Sequence, residues 1–296
     1  MSARVALVSA RAARGLDEDM PPLQAAFAAA GAHAEIADWD DTDTAWEQFD
    51  AALLRSAWDY TERLTEFLRW AQHAAACTVL LNPPEVVRWN CDKHYLLQLA
   101  ARDLAVVPSS FAEPGMQAQQ VLDDFLARHG HADLVVKPAV GAGARDTRRH
   151  ARSERAGILA HMQALLTARR SVLLQPYLGS VDQHGESALI YIDGSFSHAI
   201  RKGPLLPRGA PASDALFAAE QISARGAAAD ERALAEGILA ELPFGRLLYA
   251  RVDLIRDDAG HPRLLELELT EPSLFLAHAA GSAQRLAAAA LERLER

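Results

Sequence analysis

The segment LLYARVDLIRDDAGHPRLLELEL, residues 247–269, constrains the fold more than any other stretch. Two apolar runs flank Asp258, Ala259 and Gly260, so the segment predicts an antiparallel hairpin turning there. Residues two apart on a strand share a face. Glu266 and Glu268 then point the same way, with Leu265, Leu267 and Leu269 on the other side. Folding back at the turn brings Asp253 near the pair. Bare carboxylates ~4 Å apart repel by roughly 4 kcal/mol at an effective dielectric near 20. Such a cluster needs either a solvated face or a cation. Oxygen-only ligands suit Mg²⁺, which keeps waters and bridges to phosphates.

Upstream, the pattern has a different period. Residues 1–90 alternate strands (5–10, 33–39, 50–56, 78–81) with helices (16–30 and 60–76), and Gly31 stops the first helix. Alternation of this kind predicts a small parallel α/β domain. Residues 91–172 predict an α+β lobe. Its helices are 91–103, 117–129 and 153–170, the last with Ser153 as N-cap. Its strands run through 106–112 and through LVVKPAVGAGARDT. Residues 173–296 predict a second α+β lobe, with a strand at SVLLQPYL and a hairpin turning at Asp193-Gly194. Helices follow at 227–242 and 277–296. Residues 203–226, rich in Gly, Pro, Ala and Ser, are expected to form a mobile loop.

Composition narrows the function classes. A net charge of −9 disfavours nucleic acid and anionic membranes as partners. Cys77 and Cys91 form no CxxC and no metal spacing, which fits a reducing, cytoplasmic setting. No stretch approaches ~18 unbroken apolar residues, and the N-terminus lacks the apolar core of a signal peptide.

Four further places could carry chemistry. In NCDKHYLLQ, Lys93 opens a predicted helix, where exposed N–H groups favour anions; the ordinary reading is a surface lysine. Lys137 follows an apolar run, and Gly141 and Gly143 would let the next loop approach a ligand closely. The loop is no Walker A motif, and the ordinary reading is a plain hairpin turn. Gln175-Pro176 forms a polar elbow after a buried strand, with Glu186 beyond it. Arg55 and Ser56 end a strand of the first domain, where open parallel sheets place ligands. Both are expected to face the substrate, although Arg55 could equally form a surface salt bridge. Trp58 and Tyr60 read as core or interface residues.

Taken in order, these motifs resemble the ATP-grasp superfamily, above all glutathione synthetase and D-alanine–D-alanine ligase. The resemblance covers about residues 90–272. It implies an ATP-grasp fold, in which the α/β domain precedes two α+β lobes enclosing ATP. Lys93 and Lys137 resemble the family's phosphate-binding lysines, and the 140–147 loop its lid. Gln175, Tyr177 and Leu178 match the adenine hinge, Glu186 the ribose acid and Lys202 a later phosphate lysine. Arg251 matches the catalytic arginine that meets the acyl phosphate or substrate carboxylate, with Lys202 beside it. Asp253, Glu266 and Glu268 match the metal ligands. Two positions depart from the pattern: Gln175 stands where glutamate is usual, and Glu268 where asparagine is usual. The added charge favours two Mg²⁺ ions over one, with Mn²⁺ as a substitute.

At finer grain RSAWDY, WNCDKHYL and ELELTEPSLFL resemble the branch that closes O-ureidoserine into cycloserine. The resemblance implies an ADP-forming carboxylate–amine ligase working through an acyl phosphate on a small amino-acid-like substrate, as a homodimer. An intermolecular peptide-tailoring ligase and a non-catalytic nucleotide binder stand as alternatives. Neither His198 nor His278 has a partner in the sequence that would make it a general base.

Overall fold

The computed structural model describes residues 2–206 and 221–295. The chain starts with β1 (Arg4–Ser9), α1 (Met20–Ala29), β2 (His33–Asp38), β3 (Ala51–Ser56), α2 (Leu64–Cys77) and β4 (Val79–Leu81). These strands form one parallel sheet in the order β2-β1-β3-β4. Alternate residues feed two cores, because neighbouring side chains leave a strand on opposite faces. Val5, Leu7, Ala51 and Leu53 pack with Leu23 and Phe27 of α1. Ala6, Val8, Ala52 and Leu54 pack with Phe67 and Trp70 of α2. The first helix begins at Met20 rather than at residue 16, with Pro21 and Pro22 in its opening turn, where no N–H is needed.

Next come α3 (Pro84–Asn90) and α4 (Tyr95–Ala100) in place of one helix over 91–103. Two bonds, one local and one distant in sequence, account for the break. Asp92 Oδ1 accepts the His94 N–H at 3.1 Å, and the Lys93 N–H goes to the Ala139 carbonyl at 3.0 Å. Both bonds compete with a continuous helical ladder.

The central lobe holds β5 (Ser110–Ala112), α5 (Ala118–Arg128), β6 (Asp133–Pro138), β7 (Arg148–Ala151), α6 (Arg155–Thr167) and β8 (Val172–Pro176). Its sheet runs β5-β8-β6-β7, antiparallel throughout. Leu122 and Phe125 of α5 and Ile158 and Met162 of α6 pack on Val136 and Leu174. Because β8 pairs with β5 and β6, this sheet extends to Pro176 and not only to residue 172. Ser153 is not the cap: α6 follows Glu154 with no side-chain cap.

The last sheet has the order β11-β10-β9-β12-β13. After the short α7 (Val181–His184) come β9 (Glu186–Ile192), β10 (Ser195–Lys202), β11 (Ile222–Arg225), α8 (Ala229–Ala240), β12 (Tyr249–Arg256), β13 (Pro262–Glu268) and α9 (Ser282–Glu292). The expected 203–226 loop is thus partly strand, since Ile222 pairs with Lys202 across β10–β11. The rest of that expectation, residues 207–220, lies outside the described residues. Helix α9 returns to the first domain, where Leu286, Ala287 and Ala290 join the α1 core.

An edge strand needs partners for its outer backbone groups. Asn90 and Tyr95 supply them for β13. Asn90 Nδ2 donates to the Leu267 carbonyl at 2.6 Å, and the Leu269 N–H donates to Asn90 Oδ1 at 2.7 Å. The Tyr95 hydroxyl bonds both the carbonyl and the N–H of Leu267. Asn82 ties β4 to the same sheet through Leu248, Tyr249 and Leu269. No helix among the described residues is long and apolar enough to cross a membrane.

Candidate active site

A cavity of about 370 Å³ lies between the sheets and receives side chains from all three parts of the chain. The β12–β13 hairpin forms as the sequence predicts, with Asp253 opposite Glu266 and Arg251 opposite Glu268. A bulge follows Asp253, because Leu254 pairs with Leu264 and leaves Leu265 extra. That extra residue resets the alternation. Leu264 and Leu267 are buried, whereas Leu265 joins Glu266 at the cavity, contrary to the simple two-residue pattern.

The cations sit among these carboxylates. Lys202 Nζ lies 2.6 Å from Asp253 Oδ2 and 3.9 Å from Glu186 Oε2. Arg251 grips Asp253 with Nε and Nη2, both at 2.9 Å, and its Nη2 also contacts Glu268. Lys93 Nζ sits 2.9 Å from Glu266 Oε1, and Lys137 Nζ 3.8 Å from Oε2. The four cations and Asp253 are buried, while Glu266 and Glu268 keep about a quarter of their side-chain surface open (25% and 28%).

Burial opposes every one of these charges, and the pairing decides the outcome. At Asp253, Arg251 and then Lys202 outweigh burial and hold the carboxyl below its usual range. Lys93 and Lys137 do the same for Glu266. Lys93 stays above the ordinary lysine value because Glu266 offsets its burial, whereas burial prevails at Lys137 and pushes it down. At Glu268, burial outweighs Arg251, Asp253 adds to it, and the carboxyl rises to about 7.

At the opposite end, Gln175, Tyr177, Leu178 and Glu186 line the cavity together. Gln175 Nε2 donates to Ser109 Oγ at 3.0 Å. The Arg149 guanidinium lies 3.5 Å above the Tyr177 ring. In the glycine loop, the Gly141 carbonyl accepts from Lys93 Nζ at 2.6 Å. Gly143 has φ 61°, and a Cβ on Gly141 would sit 3.0 Å from Pro138 Cγ. Both positions therefore favour glycine.

Arg55 and Ser56 are the correction. Neither lines the cavity, and both are fully buried. Arg55 Nη2 lies 3.2 Å from Asp19 Oδ2 and its Nε 3.6 Å from Asp17 Oδ2, while Ser56 Oγ bonds Ser9 Oγ. The strand's end points its arginine behind the cavity wall, where two acids hold it. The residues that do face the cavity there are Asp17 and Asp19, which the sequence pattern places in the first helix. Position offered a signal, since they lie beyond the carboxyl end of β1. Asp19 also accepts the N–H groups of Leu274, Phe275 and Leu276 at 2.6, 3.1 and 2.7 Å.

Glu271 is another lining residue that spacing did not single out for chemistry. Burial, followed by the Glu268 charge, pushes its carboxyl up to about 8. The unfolded chain releases that proton near 4.5. Between about pH 5 and 8 the folded state therefore binds more protons than the unfolded one, and this group's stabilisation falls as pH rises. The slope is at most about 1.4 kcal/mol per pH unit. Urea midpoints across that window should drop more steeply in the wild type than in Glu271→Gln; parallel slopes would reject the shift.

Chemistry of the donor set is the test for a metal. Asp253, Glu266 and Glu268 offer only oxygens from two adjacent strands, as a hard cation requires. Among the described residues no three His, Cys, Asp or Glu side chains gather closely enough to hold an ion by themselves. The donor chemistry suits a hard cation, but these side chains do not form a closed protein cage, so most of such an ion's shell would have to come from water and substrate.

Comparison with known proteins agrees with this architecture. Residues 5–82 match the family model described as the N-terminal domain of D-cycloserine synthetase DcsG. The cycloserine biosynthesis protein DcsG of Streptomyces lavendulae is 40% identical over 98% of this chain and 99% of that protein. A crystal structure of D-cycloserine synthetase DcsG superposes with a TM-score of 0.92 at 39% identity, covering 98% and 99% of the two chains. The ATP-grasp ligase PsnB has the same fold at 20% identity, with a TM-score of 0.64 over 99% and 100%. By identity across nearly its whole length, the chain belongs to the D-cycloserine synthetase (DcsG) family and has the ATP-grasp fold.

Proposed function

We infer that this protein is an ATP-dependent, ADP-forming ligase that closes O-ureido-D-serine into D-cycloserine. The observation that carries the reading is the cluster in the shared cavity, where Asp253, Glu266 and Glu268 interleave with Lys93, Lys137, Lys202 and Arg251. The relative's name supplies the product and its D configuration.

A free carboxylate is a poor acyl donor because its leaving group would be oxide. Transfer of the ATP γ-phosphoryl group makes an acyl phosphate, whose leaving group is phosphate. In such transfers the protein mainly positions groups and neutralises charge. Lys93 and Lys137 would exchange Glu266 for phosphate oxygens. Lys202 would leave Asp253 for the nucleotide, and Arg251 would steady the oxyanion of the tetrahedral intermediate. Asp253, Glu266 and Glu268 would hold one or two Mg²⁺ ions, which supply Lewis-acid charge at the β- and γ-phosphates. Gln175, Tyr177 and Leu178 would receive the adenine, and Glu186 the ribose hydroxyls. Closure of the glycine loop carrying Gly141 and Gly143 would exclude water from the acyl phosphate. Ring closure leaves a carbamoyl group on the ring nitrogen, and one water removes it as carbamate.

Purified protein given O-ureido-D-serine, ATP and Mg²⁺ should release one ADP per cycloserine, read by coupled ADP assay and mass spectrometry. ADP release that needs an added amine, with a linear amide as product, would replace ring closure by intermolecular coupling. An absence of substrate-stimulated ADP would overturn the ligase reading.

A further inference from the structure

Ring closure makes a demand that the phosphate and metal cluster does not meet. The attacking ureido nitrogen is neutral and weakly basic, because its lone pair is shared with the carbamoyl group. Once it bonds to carbon, its N–H becomes strongly acidic, and the step reverts unless a base removes that proton. Asp253, Glu266 and Glu268 face cations at ion-pair distance. His198 is occupied too: its Nε2 pairs with the Leu274 carbonyl and its Nδ1 with Ser197, both at 2.9 Å.

Glu271 is placed differently. It lies three residues beyond Glu268, lines the cavity and is only 8% exposed. Its carboxyl is hydrogen-bonded to the Tyr60 hydroxyl, a neutral partner. The loop that carries it is fixed from three sides. Trp58 Nε1 donates to the Glu271 carbonyl at 3.2 Å, and Arg251 Nη1 to the Ser273 carbonyl at 3.0 Å. Asp19 holds the next three amides. The charged and titratable groups facing Glu271 are Glu266 and Glu268 of β13, Lys93 ahead of α4, Tyr60, Cys91, and Tyr249 of β12. The Cys91 thiol shares Tyr60 as a partner. A carboxyl poised near 8 exchanges protons close to neutral pH, as a general base must.

Building on the ligase reading above, we propose that Glu271 is the general base of ring closure, taking the proton of the ureido nitrogen as that nitrogen attacks the acyl phosphate. In this step the C–N bond forms and the carbon–oxygen bond to phosphate breaks. Phosphate departs with the bonding pair, and the N–H proton passes to a Glu271 carboxylate oxygen. The ring nitrogen is left neutral. Phosphoryl transfer, which comes first, does not involve Glu271.

The test separates the two half-reactions. Hydroxylamine, a nucleophile that needs no base, traps the acyl phosphate as a hydroxamate and expels phosphate, ADP having formed in the phosphoryl transfer before it. Glu271→Gln should trap within about 3-fold of the wild type, while ring-closed product falls by roughly 10²- to 10⁴-fold, the usual size of a general-base contribution. Its closure rate should also lack the rise toward alkaline pH expected of the wild type. Glu271→Asp, whose carboxylate reaches less far, should recover part of the closure and guards against misfolding of the glutamine variant. Closure within about 10-fold of the wild type in Glu271→Gln, or equal loss of trapping and closure in both variants, overturns the role. A wild-type protein that forms neither ADP nor hydroxamate overturns the ligase reading, and this role with it.

Discussion

Asp253→Asn is expected to lower ADP formation by roughly 10³-fold, the scale reached when several kcal/mol of charge stabilisation is removed. The side chain is 2% exposed and stands at the centre of the cluster, gripped by Arg251 through two bonds and by Lys202 through one. Asparagine keeps the shape but loses the charge. Two consequences follow, and they read out separately. Lys202 and Arg251 lose their shared counter-ion, so the folded state weakens, by about 3 kcal/mol for a broken buried pair. Glu186 and Glu268 remain near those cations and limit the loss. Thermal melts should therefore show a folded but less stable protein. Mg²⁺ with an ATP analogue should raise the melting temperature of the wild type but not of this variant. Near-normal ADP turnover in a folded Asp253→Asn protein would contradict the metal-binding role proposed for Asp253.

Arg55→Met is expected to cost about 3–5 kcal/mol of stability, because it leaves buried acids without their cation. Arg55 is 0% exposed, with Asp17 at 3.6 Å and Asp19 at 3.2 Å. Burial already pushes Asp17 above its usual value, and Arg55 is the main influence holding it back. Asp19 also anchors the amides of Leu274, Phe275 and Leu276, so disturbing it loosens the loop below the cavity. Urea unfolding measures the first effect, and a raised KM for the amino-acid substrate the second. An exposed arginine in a surface salt bridge would cost less than about 1 kcal/mol. A loss that small would contradict the buried placement.

Legibility varied with the range of the interactions. The β12–β13 hairpin was readable because its alternation and its turn at Asp258–Gly260 are local, and so the facing of Asp253 and Glu266 followed. The exposure of Leu265 was not readable, since a bulge is set by how two strands register and not by one strand's pattern. The break between α3 and α4 depended on the Lys93 N–H finding the Ala139 carbonyl, far along the chain. Arg55 departs from its expected orientation for a related reason. Its place at the end of β3 is local, but the side on which its guanidinium finds acids is decided by the loop ahead of α1.

The order and type of most elements, the lysines and carboxylates of the cleft and the family resemblance were all determined by the sequence itself. Each rests on periodicity or on neighbouring residues. Tertiary structure alone decided which charges meet: Arg251 and Lys202 on Asp253, Lys93 and Lys137 on Glu266, and Arg55 turned away behind Asp17 and Asp19. Ionisable side chains carry no period of their own. Their partners, and hence their burial and proton affinity, exist only once separate sheets have closed around one cavity.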